Sequence, residues 1–297
     1  MGIRITDTIE LIVGTNPQFP GLKCCNTLYI NDDIQTLIDT GAGQQLQERI
    51  QTGELANIDR IVHTHLHPDH TNYDHLFPDA ELWVPEAEAY VMEDWENFFR
   101  FNDTIRFGYE EAKKFATRLG YRPRKVDGTV ADGDKISFGK TVLQAIYAPG
   151  HSVGHTLFWH EESGMLLGAD IDLSRFGPWY GNPGSDIDET IRSIEKVMEI
   201  KPKIYISCHL QEVVTEGLNE RLIAYMDMIN QRDELLIEQI GSGIRLDDLV
   251  DQKPFYRRHP EPVAISRMFE QIMIEKHLER LQKSGRIDRQ EDIYFTT

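Results

Sequence analysis

Three imidazoles and a carboxylate crowd into Thr64-His65-Leu66-His67-Pro68-Asp69-His70, an H-x-H-x-D-H run. Imidazole nitrogen and carboxylate oxygen are the donors that a borderline cation such as zinc prefers. A lone His reads as a surface or core residue, but a solvated polar loop has no need of this density. The run points to a metal site, and the apolar pair Ile61-Val62 before it marks a strand that delivers it. Further donors follow. Pro149-Gly150-His151-Ser152-Val153-Gly154-His155-Thr156 comes after the apolar run Val142 to Ala148, and its glycines allow turns that aim a His inward. Leu166-Leu167-Gly168-Ala169-Asp170 is an apolar segment closed by a carboxylate, and Ile204-Tyr205-Ile206-Ser207-Cys208-His209 is one closed by an imidazole. Leu37-Ile38-Asp39-Thr40-Gly41 repeats the pattern near the N-terminus. Open α/β sheets place their ligand sites at such strand ends.

These motifs, in this order, resemble the metallo-β-lactamase superfamily, over residues 1 to about 215. The resemblance implies an α/β fold, an αββα sandwich holding two divalent ions between its sheets. Carried over by position, His65, His67 and His151 would hold the first ion. Asp69, His70 and His209 would hold the second, and Asp170 would bridge the two. Asp39 matches a carboxylate near the metals, and His155 matches a His that supports the site without ligating. Two positions differ from the usual pattern. The last His follows Ser207-Cys208 rather than a Gly-containing pair, and Ala169 stands between Gly168 and Asp170, with Asp172 two residues further on. Cys208 is read as a small buried residue rather than a soft ligand.

The elements that must position these donors can be read in outline. Residues 3–13, 27–31 and 35–39 read as opening strands, 44–52 as a helix, and 58–63 and 81–84 as strands. Residues 86–122 form a helical insertion rich in aromatics, from Tyr90 and Trp95 through Phe98, Phe99, Phe101, Phe107 and Tyr109 to Phe115. They are too many for one amphipathic face. Packing on the sandwich accounts for most of them, and the alternative is an aromatic lid accepting an apolar acyl group. The Gly- and Pro-shaped loop 171–187 places Arg175, Trp179 and Tyr180 as candidate substrate contacts, with Tyr180 the candidate proton donor to a leaving group. Beyond residue 215 a C-terminal extension, 216–297, shows helical patterns over about 216–240 and 262–283, then a terminal hairpin, and resembles a winged-helix-like unit. From Lys253 to Thr297 it carries nine Lys/Arg against seven Asp/Glu.

Composition narrows the partners. The chain has 297 residues, 40% of them apolar, and a formal charge of −18. That balance opposes general nucleic-acid binding, which works through Lys and Arg. No apolar run approaches the ~20 residues of a membrane span. The opening Met1-Gly2-Ile3-Arg4 lacks signal-peptide character. An odd cysteine count, with Cys24 and Cys25 adjacent, suits the cytoplasm. A small-molecule substrate is expected, and a homodimer is compatible with the sequence.

Two metals sharing a hydroxide serve several reactions, with Asp69 and Asp170 fixing it. Hydrolysis of a thioester or lactone leads. The alternatives are an RNase Z-like phosphodiesterase and a mononuclear-iron persulfide dioxygenase. The short spacing from His151 to Asp170 leaves no room for an inserted nuclease module there, and flavodiiron proteins carry Glu where this chain has His67. Zinc is the default ion, and Mn2+ or Fe2+ suit the same donors.

Overall fold

The computed structural model describes residues 2–15 and 24–297. Seven strands form the first sheet in sequence order: β1 (Gly2–Arg4), β2 (Ile9–Ile12), β3 (Thr27–Ile30), β4 (Thr36–Ile38), β5 (Arg60–Val62), β6 (Glu81–Pro85) and β7 (Gly128–Val130). The expected single opening strand is a hairpin instead. A Thr6 hydroxyl that accepts the amides of Thr8 and Ile9 breaks it between β1 and β2. The second sheet holds β8 (Lys135–Ser137), β9 (Val142–Tyr147), β10 (Thr156–His160), β11 (Met165–Leu167) and β12 (Ile204–Ile206).

Alternation along the first sheet explains the layers. Leu28, Ile30, Ile38 and Val62 face the core shared with Leu143, Leu157 and Phe158 of the second sheet. Their neighbours Tyr29, Leu37 and Ile61 face the opposite side, against Leu46 of α1 (Gln44–Gln51) and the insertion. Side chains of a strand alternate between faces, so one sheet is buried on both. The second sheet is backed by Ile194 and Val197 of α5 (Ile187–Ile200), a helix started by Asp186, whose side chain accepts the Glu189 amide. The short α2 (Pro68–Thr71) carries part of the H-x-H-x-D-H run, and α3 (Trp95–Phe101) and α4 (Tyr109–Arg118) form the insertion. Phe98, Phe99, Phe101, Ala112 and Ala116 of the insertion are buried in the outer core. Phe98, Phe99 and Phe101 are therefore packing residues rather than an open lid, while Tyr90 and Tyr109 stay exposed.

The C-terminal region runs α6 (Leu218–Ile240), β13 (Ile244–Arg245), α7 (Leu246–Asp251), α8 (Val263–Lys283), β14 (Ile287–Gln290) and β15 (Ile293–Thr296). Its three strands pair in the order β13-β15-β14. A separate core holds it together: Leu236 and Ile240 of α6, Leu249 and Val250 of α7, and Ile274, Leu278 and Leu281 of α8. Consecutive Ile272, Met273 and Ile274 are all buried in α8, so the helix is enclosed on several sides. Among the described residues no helix is long and apolar enough to cross a membrane.

Candidate metal centre

Strand register brings the donors together. β4 and β5 are parallel with Ile38 opposite Val62, so Asp39 and His63 leave the sheet side by side. β11 and β12 are parallel with Leu167 opposite Ile206, so Asp170 and His209, each three residues on, meet at the same edge. His209 Nε2 lies 3.2 Å from Asp170 Oδ2. Ala169 reaches this edge in a left-handed conformation, φ 44°, that Gly would adopt freely and that costs a residue with Cβ about 1–2 kcal/mol. The Cys208 amide pins it by donating to the Ala169 carbonyl.

Nitrogen atoms of three rings converge. His67 Nδ1 lies 2.9 Å from His65 Nε2 and 2.8 Å from His151 Nε2. Burial keeps all three imidazoles neutral, holding His65 and His151 well below the usual value and His67 down to about 3. Three neutral rings that aim lone pairs at one point suit a cation. Beside them, His70 Nε2 and Asp170 Oδ1 are buried without a hydrogen-bond partner, 3.1 Å apart. His209 Nε2 stands 3.6 Å from Asp69 Oδ2 and 3.2 Å from Asp170 Oδ2. Burial would lower the pKa of His209, but Asp170 and Asp69 more than offset it and raise it. This acidic half takes up positive charge as readily as the imidazole half offers lone pairs. The donor set could hold metal: His65, His67 and His151 group on one side and Asp69, His70 and His209 on the other, and Asp170 lies within reach of His70, His151 and His209.

The far side of each ring is also held. His151 Nδ1–H donates to the Trp179 carbonyl at 2.9 Å, and His70 Nδ1–H to Asp39 Oδ2 at 2.8 Å. Such partners fix the tautomer that leaves the other nitrogen for metal. Asp39 also accepts the Thr64 amide and hydroxyl. Burial alone would raise the Asp39 carboxyl, yet His70 and His63 hold it below the usual range. His155 makes no contribution to the converging nitrogens. Its Nδ1–H donates to Ala148 O, and its Nε2 accepts the Asp170 amide at 3.0 Å.

Sequence reasoning missed four participants. His63 bridges Asp39 and Asp74, its pKa lowered by burial but raised overall to about 9 by those carboxylates. A fourth His beside the run was the available signal. Glu88, in the insertion, accepts the Leu66 and Gly154 amides, and nothing in its local sequence marks it. Asn182 touches His67 Nε2 at 2.7 Å through its amide, whose other end is unpartnered. With His67 Nδ1 turned to the cluster, Nε2 carries the proton, so the amide oxygen belongs at that contact. Asp74 closes the chain by accepting the Thr40 hydroxyl.

The loop candidates divide. Trp179 lies against the centre, its ring 5.4 Å from both His67 and His151. Arg175 is exposed and has no hydrogen bond or ion pair to the cluster among the described residues. Tyr180 is a correction. Its hydroxyl is fully buried between Arg232 and His277, each at 2.7 Å, and so is not presented to a substrate as a proton donor or contact. Cys208 is buried with its Sγ 3.6 Å from Asp39, and burial pushes the thiol pKa well up. Asp172 caps its own loop by accepting the Ser174 amide.

Comparison with known proteins identifies the family and the fold. Residues 22–209 match the family described as the Metallo-beta-lactamase superfamily. A beta-lactamase-like protein 2 homolog from Drosophila melanogaster is 23% identical over 96% of this chain and 91% of its own length. An atrochrysone carboxyl ACP thioesterase from Aspergillus fumigatus is 23% identical over 78% of this chain and 65% of its own. A metallo-beta-lactamase family protein of known structure from Thermus thermophilus superposes with a TM-score of 0.80, covering 99% of this chain and all of its own, at 21% identity. The chain belongs to the metallo-beta-lactamase superfamily.

Proposed function

We propose that this enzyme hydrolyses a carbonyl ester-type bond, a thioester or lactone, at a pair of divalent ions, with zinc the ion its donors favour. The observation that carries this reading is the apolar wall on the first half of the centre. Phe101 from the insertion and Trp179 from the loop lie 5.8 and 5.4 Å from the His67 ring. An uncharged acyl group fits such a wall. The charge of −18 works against a long polyanion. Similarity to the Aspergillus fumigatus thioesterase supports the same class.

When bound, the ions would polarise a carbonyl oxygen and bring the pKa of a water toward ~7. The chain's own residues orient the partners. Asp69, whose side chain is 30% exposed, is the most open of the acidic donors and would hold the attacking water and take its proton at Oδ2. Asp170 keeps His151, His70 and His209 within one carboxylate's reach. The C-terminal region, read as a winged-helix-like extension, would support the loop that carries Trp179.

Elemental analysis followed by a panel of acyl thioesters, lactones and phosphodiesters tests the proposal. Two ion equivalents with carbonyl hydrolysis are expected. Phosphodiester cleavage with steeply salt-dependent RNA binding and no carbonyl hydrolysis would refute it. One iron equivalent with oxygen consumption on a persulfide would do so too.

A further inference from the structure

Arg232 of α6 is buried, and its donors go not to a carboxylate but to the loop that covers the metal centre. Nη1 donates to the Pro178 carbonyl at 2.6 Å and to the Tyr180 hydroxyl at 2.7 Å, and Nη2 donates to the Phe176 carbonyl. The rings of Phe176, Phe255 and Tyr180 enclose the guanidinium at 4.7, 5.2 and 5.3 Å. The rings attract the cation through their faces, and what fixes its place is that the fork matches several fixed acceptors at once.

Between those captured groups lies Trp179, whose carbonyl is the one that accepts His151 Nδ1–H. Its indole N–H donates to the Tyr256 hydroxyl at 2.7 Å, and its ring rests on Phe269 of α8 at 5.2 Å. Further along, Lys276 of α8 donates to the Ser185 carbonyl at 2.6 Å. Every one of these holding groups comes from the C-terminal region, and the ring they ultimately orient belongs to the first half of the centre.

We propose that Arg232 and Tyr256 are positioning residues for the metal centre. They clamp the backbone before Trp179, the Tyr180 side chain after it and the indole itself, so that the Trp179 carbonyl keeps His151 in the Nδ1–H tautomer with Nε2 free for metal. The inference rests on the metal-centre reading and is independent of the substrate. Partners that orient a ligating His in this way typically change metal affinity by about 10- to 100-fold when removed.

Zinc affinity of the metal-free protein, by competition with a chromophoric chelator, and the visible spectrum after Co2+ loading test it. Arg232→Met with wild-type circular dichroism should bind its first equivalent at least about tenfold more weakly and show an altered Co2+ band. Arg232→Met that folds and binds with wild-type affinity overturns the proposal. If that variant does not fold, Tyr256→Phe, which removes only the hydroxyl on the indole, is measured the same way. Weakened zinc binding there supports the clamp, and wild-type affinity overturns it. A wild-type protein that binds no zinc, cobalt or manganese overturns both the clamp and the centre.

Discussion

Glu88 and Gly154 are joined by a 2.7 Å hydrogen bond from the Gly154 amide to the Glu88 carboxylate. The same carboxylate accepts the Leu66 amide at 2.7 Å and the Ser152 hydroxyl at 2.5 Å. Leu66 sits between His65 and His67, while Ser152 and Gly154 sit between His151 and His155. One buried side chain of the insertion therefore sets the spacing of the two loops that supply the imidazole half of the centre.

Glu88→Gln is predicted to destabilise the protein by about 1–3 kcal/mol, because a carboxamide has one oxygen and must turn N–H groups toward a buried N–H or hydroxyl donor. Zinc affinity should fall with it, since both loops lose their common anchor. Chemical unfolding of the metal-free form and chelator competition measure the two effects. Wild-type values in both would show that the bridge does not set the loops.

Much of the centre was legible because its donors are local in sequence or repeat one pattern. The H-x-H-x-D-H run and the strand-end Asp170 and His209 each follow an apolar segment, and parallel register carries them to one edge. What was not legible depends on contacts far apart in the chain. Glu88 reaches Gly154 across the sandwich, and Asn182 reaches His67 from a loop that reads only as Gly and Pro punctuation. Tyr180 was misread for the same reason. Its neighbour Trp179 faces the metals, but its own hydroxyl is claimed by α6 and α8, which lie far along the chain. The insertion's aromatics have no single periodic face because they fill an irregular core, from which Phe101 alone among the buried phenylalanines reaches a ring of the cluster.

Metal removal should lower stability. A protein saturated at a thousandfold excess over Kd gains about 4 kcal/mol from each ion bound only to the folded state. Chelation is therefore predicted to lower Tm markedly, and zinc to restore it. His151→Ala or Asp69→Ala should abolish hydrolysis and keep the secondary structure, because His151 lies in the loop after β9 and Asp69 in the short α2, both outside the apolar core. Near-wild-type turnover in either variant would remove it from the catalytic set.

Phe101→Ala is predicted to raise KM for apolar acyl substrates more than for small acetyl esters, since it opens the wall beside His67. Truncating a buried Phe also costs about 3–5 kcal/mol, so kinetics are compared below the variant's own Tm. Equal effects on large and small acyl groups would mean that Phe101 only packs and does not meet the substrate.

A pH dependence follows from His277, which is fully buried in α8. Its Nε2 accepts the Tyr180 hydroxyl at 2.7 Å, and its Nδ1–H donates to Asp233 at 2.6 Å. Tyr180 in turn accepts an Arg232 N–H, and Arg280 donates to the other Asp233 oxygen. Each atom has one role in this chain only if the imidazole is neutral. Burial holds the His277 pKa below its usual value; Asp233 opposes that, while Arg232 and Arg280 reinforce it. A depressed folded value means that the unfolded chain takes the proton first as pH falls. The stabilisation is therefore present above the unfolded value of about 6.5 and is lost as pH drops below it, through the folded pKa. His277→Phe breaks two hydrogen bonds and should be less stable than wild type near about pH 8, yet the gap should narrow toward about pH 5, where the unfolded wild-type chain gains a proton on His277 that the folded ring resists. Unfolding free energies of the two metal-free proteins at both pH values decide it. A gap that stays constant or widens in acid would mean that His277 is not held neutral in the folded protein.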